Sequence, residues 1–125
     1  NILHMLVGYK HCSQCRDVVV SWLMDRLEVC LALDRGAQAA GLEPVWFTLL
    51  CAEQALRVRW QGDELCPWRT EENLKLSIRS LERFAKLPGV RIDTTGRTAE
   101  QVQNSVLALL DKRLGESMAA EEVPD

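Results

Sequence analysis

The chain has 125 residues, 47% of them apolar and 26% charged, with a net charge of -3. That is the composition of one ordinary globular domain, and it gives no electrostatic reason to expect nucleic acid or an anionic membrane as a partner. No apolar run is long enough to span a bilayer, and the N-terminus carries no signal-peptide pattern. Five cysteines, an odd number without an export signal, point to reduced thiols in a cytoplasmic protein.

The pattern from Asn1 to Tyr9 predicts a short helix closed near Gly8, followed by a polar loop, "KHCSQCRD". Val18, Val19 and Val20, continuing into Ser21, Trp22, Leu23 and Met24, form a run that is apolar on both faces. Such a run predicts a strand buried inside a parallel sheet. Asp25 is positioned to cap a following helix, with Glu28 as its capping-box partner. Leu27, Cys30 and Leu31 sit at core spacing on that helix, and Gly41 suits its C′ position.

"VWFTLL" after Pro44 predicts a second continuous apolar strand, and Ala52 to about Gln61 a helix. Gly62 and Pro67 break it. Thr70 then caps a longer helix, with Glu71 and Glu72 in its first turn, where the macrodipole favours carboxylates. Leu74, Ile78, Leu81 and Phe84 or Ala85 mark its inner face, and Pro88-Gly89 ends it. "VRID" predicts a short strand. Thr98 and Gln101 form a capping box for the last helix, whose inner face carries Val102, Val106, Leu109 and Leu110. From Gly115 the chain reads as an acidic, disordered tail, so the expected domain covers 1–113 and the tail 114–125.

Alternating strands and helices with buried strands predict an α/β fold: a three-layer parallel sheet flanked by helices. Only three strands are visible, so either the assembly is small or a strand is expected upstream of Asn1. An edge left by a lost strand would favour self-association.

Ligands of open α/β sheets bind beyond the carboxyl ends of the strands. That rule selects Ser21 to Asp25, Leu50 to Glu53 and the "DTTG" turn, Asp93 to Gly96. The turn can equally serve only to lead into the last helix. Arg57, Arg59 and Arg69 gather around "WQGDELCPWR", and guanidinium forks match phosphate oxygens.

Taken together, "DVVVSWLM", "PVWFTLLCAEQALRVRW" and "WRTEENLKLSIRSLERFAKLPGVRIDTTGRTAEQVQ" resemble the C-terminal two-thirds of P-loop nucleotide kinase-like proteins. These are AAA-type ATPases grouped near adenylate, gluconate and shikimate kinases. The corresponding features are Ser21-Trp22, Leu50-Cys51, Glu53 through Leu56 and Arg59, a lid at about 61–70, Ser77 through Leu81 and Phe84, and Ile92 to Thr95. The resemblance covers about residues 17 to 110. It implies an ATP-dependent phosphotransferase or ATPase, with Mg2+, a bound nucleotide and an unidentified phosphate acceptor. It also implies Arg59 and Arg69 at the transferring phosphates, Thr94, Thr95 and Gly96 beside the adenine, and Ser21, Trp22 and Asp25 bordering the acceptor. The family's phosphate cradle, G-x-x-x-x-G-K-[ST], is absent from the sequence. The expectation is therefore an incomplete P-loop NTPase-like domain, lacking its first strand and phosphate loop and inactive by itself.

Two other classes remain open. One is a non-catalytic interaction or regulatory relic of the kinase fold. The other is a redox or zinc module on His11, Cys12 and Cys15. For the latter, the C-x-x-C pair precedes an expected strand, not a helix whose dipole would lower a thiol pKa. Zinc needs four ligands, and Cys30, Cys51 and Cys66 stand singly.

Overall fold

The protein is described by a computed structural model that covers residues 2–12, 14 and 16–121, with 114–121 as backbone alone. In chain order the elements are α1 (Ile2–Lys10), α2 (Leu27–Ala39), β1 (Phe47–Leu50), α3 (Glu53–Gly62), α4 (Glu71–Phe84), β2 (Val90–Asp93) and α5 (Ala99–Glu121).

Local chemistry explains where most of these begin and end. At the close of α2, Gly41 takes φ +81, its N–H donates to Gln38 O, and the Leu42 N–H donates to Ala37 O. Those two bonds make a Schellman cap, which needs a left-handed residue where glycine pays no Cβ penalty. Thr70 Oγ1 accepts from the Asn73 N–H at 3.2 Å and starts α4. At α5 the capping box closes in both directions: Thr98 N–H donates to Gln101 Oε1 (2.9 Å), and Gln101 N–H to Thr98 Oγ1 (3.1 Å). The helix then runs past Gly115 to Glu121, while residues 122–125 of the expected tail lie outside the described residues.

β1 and β2 pair in parallel, Phe47 opposite Val90 through Leu50 opposite Asp93, and α3 and α4 form the crossover between them. The core follows from this pairing. Leu74 of α4, Ile92 of β2 and Leu87 are buried, with Cys30 and Ala37 of α2, while Thr48 and Thr94 are the buried polar residues among those described. Thr48 donates to Pro88 O (3.3 Å), so its hydroxyl is satisfied. Trp46 Nε1 donates to Asp34 Oδ1 (2.7 Å), tying α2 to the entry of β1.

Two strands and five helices are the whole of this architecture among the described residues, and a three-layer parallel sheet of the P-loop type is not what the chain forms. The missing member is the expected strand at Val18–Val20. The segment 17–26 belongs to no helix or ladder, and Val19 is 93% exposed. An apolar, β-branched run signals a buried strand only when a neighbouring strand and covering helices are there to bury it; here neither reaches it. Asp25, expected to cap α2, does not do so: the N-cap is Arg26, without a side-chain cap bond.

Candidate functional site

The carboxyl ends of β1 and β2 meet the first turn of α3 and the turn Asp93 to Gly96. Leu50 O accepts from both Thr94 N–H (2.7 Å) and Thr94 Oγ1 (2.8 Å). Arg59 reaches across from α3, donating from Nη1 to Thr94 Oγ1 (2.9 Å) and from Nη2 to Thr94 O (2.5 Å). The Ala52 N–H, at the N-cap of α3, donates to Thr95 Oγ1 (2.8 Å). Thr95 N–H donates in turn to Asp93 Oδ1 (2.9 Å). That bond holds the Asp93 carboxyl below its ordinary range, helped by the Thr95 hydroxyl and, through charge, by Arg97 and Arg59. Arg97 folds back over the start of α5, donating to Asp93 O, Gln101 O and Ser105 Oγ.

The expected site residues divide into three places. Arg59, Thr94 and Thr95 come together as just described, with Gly96 beside them in open space. Arg69 is held elsewhere: its Nε donates to Asp63 Oδ2 (3.0 Å), and its guanidinium lies 4.4 Å from the centre of the Trp60 ring. The segment 61–70, expected as a lid, links α3 to α4 and is pinned by Trp60 Nε1 donating to Thr70 O (3.1 Å). Ser21 and Trp22 lie on the irregular segment 17–26, Trp22 66% exposed, instead of at a strand tip. Asp25 accepts from Arg83 of α4 (2.7 Å from Nε, 2.6 Å from Nη2). His11 and Cys12 close the α1 end, and Cys15 lies outside the described residues.

Sequence reasoning missed the partners more than the residues. Nothing local in the chain signals that Arg59 serves Thr94, 35 positions away, or that Arg83 serves Asp25, 58 positions away.

ATP and Mg2+ need guanidinium or ammonium donors free to meet phosphate oxygens. At the strand ends Arg59 commits one bond from Nη1 and one from Nη2 to Thr94, while Arg69 lies away from them with its Nε on Asp63. No group of three or more His, Cys, Asp or Glu able to hold a metal occurs among the described residues. Two open, shallow cavities of about 210 Å³ each are lined by residues away from the strand ends. One is lined by Ile2, Leu3, Met24, Val29 and Leu33, the other by Leu23 to Arg26 and Val29. No helix among the described residues is long and apolar enough to cross a membrane. No family model, curated protein or solved structure matches this chain.

Proposed function

We propose that the chain is a non-catalytic interaction module that works by association through apolar surface. The observation that carries this reading is the segment Val18–Leu23. It holds six consecutive residues without a charge, and its side chains are exposed, Leu23 by 87% and Val19 almost fully. Single exposed apolar residues are common, but a contiguous run of them marks an interaction surface. A parallel sheet is normally covered and extended, yet β1 has β2 on one edge alone, so self-association through the sheet edge is the finer form of the reading. A reducing, cytoplasmic setting goes with it, supported by Cys30, Cys51 and Cys66 standing as free thiols.

The test joins sedimentation equilibrium with titration of ATP and Mg2+. The expected result is concentration-dependent association, weakened in Val19→Asp, with no heat of nucleotide binding. A chain that stays monomeric to millimolar concentration overturns the reading.

A second reading, the nucleotide-binding kinase-like domain, is favoured by one observation. Arg59, Thr94 and Thr95 converge at the carboxyl ends of two parallel strands, the place where ligands of open α/β sheets sit. Under it, ATP binding is measurable and falls in Arg59→Ala or Arg69→Ala; binding unchanged in both removes the two arginines from any nucleotide site.

A further inference from the structure

We propose that Val18–Leu23 of one copy adds as a strand to the open edge of β1 in a second copy, in a reciprocal exchange. This rests on the interaction-module reading and names the partner as the chain itself.

Two unfinished features of the molecule complement one another. The first is the free edge of β1. Val90 N–H donates to Trp46 O (2.9 Å), and Thr94 N–H to Leu50 O (2.7 Å). In a parallel ladder alternate residues of a strand serve the same neighbour. Trp46, Thr48 and Leu50 therefore face β2 with their backbone groups, and Phe47 and Leu49 turn theirs to the other side. A strand edge of that kind accepts another strand wherever one is offered. Leu49, 54% exposed, leaves apolar surface beside it.

The second feature is the segment itself. "VVVSWL" has three β-branched residues, an aromatic, and no proline, glycine or charge, which is the composition that enters sheets most readily. It makes no ladder in its own chain. Its far end is fixed, because Asp25 is clamped to Arg83 of α4, so the segment is presented from the body of the protein. A reciprocal exchange is two-fold and closes on itself, covering both edges and both segments at once.

The exposed apolar area lies where the exchange would cover it: Val19 is 93% exposed, Trp22 66% and Leu23 87%, and a reciprocal exchange covers two such segments at once, the scale a specific interface requires.

Sedimentation equilibrium on the full chain, with isotope-filtered NOEs in a mixture of labelled and unlabelled copies, tests the exchange. The expected result is a dimer with inter-copy NOEs between backbone protons of 18–23 and of 47–49. Val19→Pro removes a donor from a segment outside every helix and ladder, and should weaken the dimer by about tenfold or more, the worth of one to two hydrogen bonds. Val19→Thr keeps that N–H and the β-branched shape, and should retain the dimer with smaller loss. A dimer without those NOEs, or one indifferent to Val19→Pro, overturns the strand exchange and leaves the interaction module standing. A monomer at millimolar concentration overturns both, and NOEs between the two stretches within a monomer show the segment folding onto its own chain, which overturns the exchange.

Discussion

Arg59 grips Thr94 twice, through the hydroxyl at 2.9 Å and the carbonyl at 2.5 Å, and so fastens α3 to the end of β2. Thr94 Oγ1 is engaged on both sides, accepting from Arg59 and donating to Leu50 O (2.8 Å). The pair lies where a ligand would be sought in an α/β sheet, yet its geometry is that of a brace joining two strands and a helix.

As a brace it has a measurable stability. Hydrogen bonds to a charged group contribute about 1.5–3 kcal/mol, less where water reaches them. Arg59→Ala should lower unfolding stability by about 1–2 kcal/mol. Thr94→Val should cost about 1–3 kcal/mol, because a buried hydroxyl that bridges two partners is lost. A double-mutant cycle by urea unfolding should return a coupling of about 0.5 kcal/mol or more; additive losses would mean that the two residues act independently.

Gly89 governs the entry to β2. It takes φ +97, and a Cβ built there would lie 2.5 Å from both Trp46 Cβ and Trp46 O. That same carbonyl accepts the first ladder bond from Val90 N–H. Gly89→Ala therefore meets left-handed strain and a backbone clash together, and should destabilise the protein by at least about 1–3 kcal/mol. Thermal unfolding of the variant, with hydrogen exchange at Val90, checks it: an unchanged midpoint and a protected Val90 amide would contradict the close approach.

Features whose causes are local were legible in the sequence. Thr70, the Thr98–Gln101 box and Gly41 each act within a few positions, and each closes the helix end expected of it. The strands were legible too: "FTLL" lies within the expected "VWFTLL", and "VRID" coincides with the short strand expected there. Val18–Val20 read as a strand because composition reports what a segment can bury, whereas strand formation also needs a partner elsewhere in space. The site was half legible for the same reason. Thr94 and Arg59 were both candidates, but their bonding to each other is a relation across 35 positions that no spacing rule carries.

The helix α4 depends on one contact above others. Leu74 is 1% exposed, while the rest of its turn carries Glu71, Glu72, Asn73 and Lys75. Leu74→Ala leaves a cavity as well as losing apolar burial, and should cost about 2–5 kcal/mol. Against a marginal stability of about 5–15 kcal/mol, that is a large share. Leu76→Ala, at an exposed position of the same helix, should change stability by less than about 0.5 kcal/mol. Equal losses at the two positions would mean that α4 does not pack through Leu74.

Acid should act through Asp93. Its carboxyl titrates below its ordinary value of 3.8, chiefly because the charged form accepts from the Thr95 N–H. A group whose pKa is lower folded than unfolded stabilises the fold above its unfolded value and loses that contribution as pH falls through the folded one. The loss belongs below the ordinary aspartate range, not near neutrality. In Asp93→Asn the amide oxygen can still accept from Thr95, but nothing titrates. The variant should be less stable than the parent near neutral pH, and the gap between them should close as the medium is acidified. Urea midpoints for both proteins, followed from about pH 6 to about pH 2, test this. Parallel profiles over that range would show that the Asp93 carboxylate does not hold the turn at the head of α5.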